Sequence, residues 1–181
     1  MAPAGSTDSM AGAGDDSPRV PSIADIDALA RRTGERMLAR RHMLVTAESC
    51  TGGWIAQAIT GVAGSSGWFE CGVVAYSYEA KQALLGVHPK TLETHGAVSR
   101  ECVEEMVSGA LANLGGSVAV AVTGIAGPGG GSEDKPVGTV WIGWKQRGGY
   151  ARAEAFHFHG DRDAVRRQTV AKAFEGLLAL A

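Results

Sequence analysis

The 181-residue chain has only three cysteines, Cys50, Cys71 and Cys102. They are far apart and form no CxxC pair, which argues against a disulfide framework or a zinc knuckle and points to a reducing cytoplasm. No apolar run approaches the roughly 20 residues needed to span a bilayer. The N-terminus "MAPAGSTDSMAGAGDDSPRVP" has neither a basic start nor an apolar core, so it does not read as a signal peptide. Net charge is small, formally −2, and gives no electrostatic case for a nucleic acid or membrane partner. No internal repeat is visible. The chain also lacks the Gly-Lys-Ser/Thr ending of a Walker loop and has no GxGxxG after a strand.

What is present is a soluble globular pattern, 45 % hydrophobic and 20 % charged, with 26 glycines concentrated in loops between apolar runs. The length suits one domain. Residues 1–21 read as a disordered tail from their Ala, Gly, Ser, Pro and Asp content, and residues 22–181 as the ordered domain. Ser22, with Asp25 three residues on, predicts a helix start, and Ile26, Leu29, Ala30, Thr33 and Met37 form its apolar face.

Strands are expected at "MLVTA" (43–47), "WFECGVVAYS" (68–77) and "SVAVAVTG" (117–124), with a hairpin in "VGTVWIGWKQ" and "YARAEAFHFH". Between them "GWIAQAITGV", "EAKQALLGV" and a long segment opened by Ser99 read as helices, and "DRDAVRRQTVAKAFEGLLALA" closes the chain. The alternation predicts a three-layer α/β/α sandwich around a mixed sheet of about five strands.

Ligands in such sheets bind beyond the carboxyl ends of parallel strands. Three loops there carry candidate chemistry: "AESCTGG", "AYSYEAK" and "TGIAGPGGGSEDKP". In the first, Ser49, Cys50 and Thr51 are three possible nucleophiles, and Gly52 and Gly53 allow a tight turn into a helix whose N–H groups suit an oxyanion or phosphate. The plainer reading is a helix cap by Ser49 or Thr51. In the second, Lys81 can be a general base if burial or a neighbouring cation lowers its pKa, with Tyr76 orienting the proton; otherwise it is a surface lysine. In the third, Gly127 to Gly131 make a flexible lid or a backbone cradle. His157 and His159 share a strand face without a third metal ligand at a recognisable spacing. Arg162 and Arg166 share a face of the last helix, where phosphate contact competes with salt bridging.

Taken together, "TAESCTGGWIAQAIT", "GSSGWFECGVVAYSYEAKQALLGV", "GAVS", "VTGIAGPGGGSEDKPVGTVWIGW" and "GDRDAVRRQ" resemble the CinA C-terminal domain family from about residue 23 onward. The resemblance implies a mixed five-stranded α/β/α fold, oligomers and no cofactor. It also implies metal-free hydrolysis of nicotinamide mononucleotide to nicotinate mononucleotide and ammonia, with Ser49 as nucleophile, Lys81 as base and Tyr76 beside them. The substrate, a pyridine nucleotide, is then expected against Cys50, Thr51, Gly52, Thr123, Gly124, Gly127, Gly129, Gly130 and Arg166. The family motif commonly has a polar residue such as Asn where this chain has Tyr78. Two other readings stand beside this one: a cysteine amidase using Cys50, and a nucleotide- or partner-binding module that has lost turnover.

Overall fold

The computed structural model describes residues 19–180; most of the expected N-terminal tail, residues 1–18, lies outside them. The first helix, α1 (Ile23–Ala39), starts as its sequence dictates. Ser22 Oγ accepts from the Asp25 N–H at 3.2 Å, and Asp25 Oδ2 accepts from the Ser22 N–H at 2.7 Å. Such reciprocal caps satisfy two N–H groups that would otherwise lack a partner. The inward face of α1 carries Ile26, Ala30, Thr33, Gly34 and Met37. Gly34 lies flat against the buried Trp68 indole, where a Cβ would come within 2.7 Å of the ring.

The remaining elements are β1 (Leu44–Glu48), α2 (Trp54–Thr60), β2 (Phe69–Val74), α3 (Tyr78–Leu85), α4 (Pro89–His95), α5 (Arg100–Asn113), β3 (Val118–Gly124), β4 (Thr139–Gln146), β5 (Arg152–His157) and α6 (Arg162–Ala179), with a 3-10 turn at Ser65–Gly67 before β2. The strands form one sheet in the order β2-β1-β3-β4-β5. β1 pairs parallel with both β2 and β3; β4 and β5 join antiparallel. The expected mixed five-stranded sheet is present.

All five residues of β1 and the first six of β3 are buried, as befits strands covered on both faces. One face packs on α1, α2 and α6 through Ile26, Leu44, Ile55, Trp144 and Phe174. The other packs on α3, α4 and α5 through Val45, Ala47, Leu85, Val103 and Met106. Close approach on each side depends on a glycine: a Cβ at Gly176 would overlap the Trp144 indole, and one at Gly109 would overlap the Leu85 carbonyl. Among the described residues no helix is long and apolar enough to cross a membrane.

Two details differ from the sequence reading. β5 ends at His157, so His159 lies beyond the strand; the two imidazoles meet edge to face at 4.9 Å. Among the described residues no three His, Cys, Asp or Glu side chains are grouped to hold a metal. The second difference is the N-cap of α2, and it bears on the site.

Candidate active site

The register of the parallel strands brings the three candidate loops together. Glu48 at the end of β1 is paired with Val74 of β2 and with Val122 of β3. The segments after these strands therefore leave the sheet side by side. Ser49 is fixed at the start of its turn by its N–H, which donates to Val122 O at 3.1 Å.

Lys81 comes from the opposite helical layer. Ser77 caps α3, accepting from the Ala80 N–H at 3.1 Å, and this sets the helix so that Lys81 and Leu85, four apart, face inward. Lys81 is 1 % exposed, which excludes the surface-lysine reading. Its Nζ lies 2.9 Å from Ser49 Oγ, 2.8 Å from Ala75 O and 3.4 Å from Tyr76 O.

A neutral amine has two N–H donors and one lone pair. Two carbonyls and one hydroxyl match that inventory if the Ser49 O–H donates to Nζ. Burial lowers the Lys81 pKa from its ordinary 10.5, with the nearby Cys102 and Cys50 acting in the opposite sense. The requirement set by the sequence, a desolvated lysine, is met by burial.

Cys50 is packed in the core on the α1–α2–α6 side of the sheet. Burial pushes its thiol up to about 12, with Glu48 adding to the effect. It therefore stays protonated near neutral pH, and the thiolate is the reactive form of cysteine. Cys50 nonetheless lines a cleft of about 200 Å³ together with Tyr76, the segment Gly124–Gly127, Gly129, Gly130 and Arg162. A larger cavity of about 480 Å³ lies by α4, α5 and Trp141. Ser49 and Lys81 line neither space, but the smaller one is walled by Cys50, next to Ser49, and by Tyr76, whose carbonyl accepts from Lys81. The polar pair, rather than volume, marks where chemistry can occur.

Several expected contacts are corrected by the geometry. Thr51 is fully buried, and its hydroxyl donates to Glu48 Oε2 at 2.7 Å, so it is engaged within the turn. The Gly52 N–H donates to Ser49 O at 3.0 Å, closing the turn and leaving it unsuited to an oxyanion. The Thr123 hydroxyl donates to Ala97 O at 2.8 Å, tying β3 to the segment before α5. Tyr76 is 62 % exposed, and its hydroxyl accepts from Arg162 at 3.1 Å. It forms a wall of the cleft, and only its carbonyl bonds to Lys81. Arg166 donates to Thr51 O at 2.7 Å and covers the Trp54 ring at 5.1 Å. The arginine that lines the cleft is Arg162, which also donates to Gly127 O at 2.7 Å. Gly124, Gly127, Gly129 and Gly130 line the cleft.

The residue that the sequence reading missed is Glu48. Neither Ser49 nor Thr51 caps α2: the N-cap is Gly53, at φ 95°, with no side-chain cap bond. Glu48, 1 % exposed, takes that place from the strand side. Its Oε2 accepts from the N–H groups of Gly53 and Ile55 at 3.0 Å each, and its Oε1 from Ala56 N–H at 2.8 Å. A carboxylate at a helix N-terminus also opposes the positive end of the helix dipole. These donors are therefore not open to a substrate anion. The available signal was a carboxylate at the end of a buried strand, where an unpaired charge would be costly.

The comparisons with known proteins agree with this architecture. The model of the CinA C-terminal domain matches residues 26–181. Nicotinamide-nucleotide amidohydrolase PncC of Escherichia coli strain K12 is 50 % identical over 154 residues, 85 % of this chain and 93 % of that protein. The protein of the same name from Pseudomonas putida is 54 % identical over 155 residues, 86 % of this chain and 96 % of that one. The crystal structure of competence/damage inducible protein CihA from Agrobacterium tumefaciens superposes with a TM-score of 0.85 at 46 % identity, covering 90 % of this chain and 98 % of that chain. The chain belongs to the CinA C-terminal domain family.

Proposed function

We propose that the protein is a nicotinamide-nucleotide amidohydrolase that converts nicotinamide mononucleotide and water to nicotinate mononucleotide and ammonia. The carrying observation is the buried contact of 2.9 Å between Lys81 Nζ and Ser49 Oγ. Likeness to amidohydrolases of that name over most of both chains supports the reaction class.

In this reading Ser49 Oγ attacks the carboxamide carbon while its proton passes to Lys81 Nζ. The N–H groups of Cys50 and Thr51, at the turn beside the nucleophile, are the oxyanion donors. Collapse of the tetrahedral intermediate breaks the C–N bond, and the Lys81 ammonium returns its proton to the departing ammonia. Water, deprotonated by the same amine, then attacks the acyl-serine; the acyl C–Oγ bond breaks, Lys81 returns the proton to Ser49 Oγ, and the nicotinate product leaves.

The pyridinium ring makes the carboxamide electron-poor, and its positive charge disfavours protonation of Lys81. Tyr76 offers an aromatic face to that cation. Arg162 and the backbone of Gly127–Gly130 supply the cation and cradle for the 5′-phosphate.

The test is ammonia release from nicotinamide mononucleotide, with free nicotinamide and the dinucleotide NAD as controls and Ser49→Ala as the blank. Turnover of the mononucleotide that the blank lacks is expected. Equal turnover by Ser49→Ala would remove serine from the centre of the reaction.

A further inference from the structure

We propose that Glu48 is the positioning residue of the catalytic pair, holding Ser49 through its side chain and Lys81 through its main chain. The inference rests on the serine–lysine reading given above.

The side-chain arm winds the turn after β1 around one carboxylate. Four donors from Thr51, Gly53, Ile55 and Ala56 converge on its two oxygens at 2.7–3.0 Å. Residues 51–56 are thus gathered by a group anchored in the sheet immediately before Ser49. The helices α1, α3, α5 and α6 are each capped by a Ser or Asp side chain; α2 and α4 are not, and of these two only α2 has a carboxylate gathering several of its first N–H groups. A seven-residue helix is too short to hold itself together by its own hydrogen bonds. Hydrogen bonds to an ionised acceptor are the stronger kind, so the carboxylate organises both the turn and the helix start.

The main-chain arm runs the other way. Glu48 O accepts from the Ala75 N–H at 2.8 Å, and Ala75 O in turn accepts from Lys81 Nζ at 2.8 Å. The proposed nucleophile comes from the turn after β1 and the proposed base from α3, yet both are referenced to this residue. Glu48 does not touch substrate in this scheme. It sets the distance across which the Ser49 proton moves.

Glu48→Gln separates the two arms, because the main chain is untouched while Nε2 can no longer accept. At least one N–H loses its acceptor, and the turn must shift. Displacement of a reacting group by about 1 Å costs about 10²-fold in rate, so kcat should fall by about that factor. KM should change by less than about twofold, since binding contacts remain.

Three readouts are needed: steady-state kcat and KM with nicotinamide mononucleotide, thermal midpoint, and the rate at which a fluorophosphonate labels Ser49. Parallel loss of kcat and labelling in folded Glu48→Gln is the expected result. A folded variant that loses thermal stability but keeps wild-type kcat and labelling overturns the proposal, because a merely structural cap would behave that way. If Glu48→Gln does not fold, Thr51→Val removes one of the four donors from a side chain hidden from substrate. Its kcat should fall several-fold at constant KM, and an unchanged kcat overturns the proposal. Wild-type labelling at Ser49 without ammonia release would remove the substrate assignment alone, leaving the labelling rates to decide the role of Glu48. Absence of both in the wild type removes the serine reading and this inference with it.

Discussion

Lys81 Nζ stands 2.9 Å from Ser49 Oγ, although the two residues are 32 positions apart, one in the turn after β1 and the other on α3. The contact is buried, and the amine's remaining partners are the carbonyls of Ala75 and Tyr76. Lys81→Ala should therefore lower kcat by about 10³-fold or more, as expected for one member of a catalytic unit. Lys81→Arg should fail as well, because guanidinium stays protonated and cannot take the serine proton. Activity in the Arg variant, measured as ammonia release, would show that only positive charge is needed.

The pH dependence follows from the lowered Lys81 pKa. With neutral amine as the proposed working form, kcat should rise with pH through the folded-state value, with its midpoint below 10.5. Stability has the same sign. Between the lowered folded value and 10.5 the unfolded chain binds more protons at this position, so stability rises with pH there. Lys81→Met lacks this dependence. Any stability advantage of the Met variant should shrink as pH is raised from 7 toward 10, read from thermal midpoints of both proteins.

Cys50→Ala should retain most activity. The thiol, pushed up to about 12 by burial, is almost wholly protonated at pH 7.5. Iodoacetamide at that pH should leave turnover intact over a time that alkylates free thiols in the unfolded chain. Rapid inactivation that tracks modification of Cys50 would restore the cysteine reading.

Arg162 and Arg166 should separate kinetically. Arg162→Ala removes the cleft cation, and a charged hydrogen bond is worth about 1.5–3 kcal/mol, or roughly 10–100-fold in kcat/KM. That loss should appear with nicotinamide mononucleotide and be much smaller with its phosphate-free riboside. Arg166→Ala instead frees Thr51 O and uncovers Trp54, so it should affect the two substrates equally. A substrate-selective effect at Arg166 would exchange the two assignments.

Gly176→Ala tests the core. Alanine ordinarily favours a helix over glycine by about 1 kcal/mol. Here the added Cβ overlaps the buried Trp144 indole, whose N–H donates to Ala173 O at 2.9 Å. Overpacking costs about 1–3 kcal/mol, so the variant should unfold at lower urea than wild type.

Most elements were legible in the sequence because their signals are local. The Ser22 and Asp25 cap, the apolar run of β3 and the Asp161 start of α6 each report on their own backbone. The strand-end pairing of Ser49 and Lys81 came from motif resemblance, since no local pattern states a distance across 32 residues. Glu48 was passed over because a carboxylate beside Ser-Cys-Thr looks like ordinary loop polarity. Only the fold shows four donors turned toward it. Arg162 and Arg166 share a helix face, and helical spacing alone does not distinguish them. The choice is made by what each reaches, Gly127 O and Tyr76 in one case and Thr51 O in the other.

The turn between β4 and β5, ending in the fully exposed Tyr150, divides the chain unequally with respect to its parts. Ser49, Glu48, Lys81 and the glycine-rich loop all precede it, whereas Arg162 and Arg166 follow it. A nick there leaves one fragment with both Ser49 and Lys81 and another with the arginines that line the cleft and brace the Ser49 turn. Two separately expressed pieces would therefore regain turnover only through reassociation, making the protein a natural candidate for a split reporter in which ammonia release measures the meeting of two fused partners.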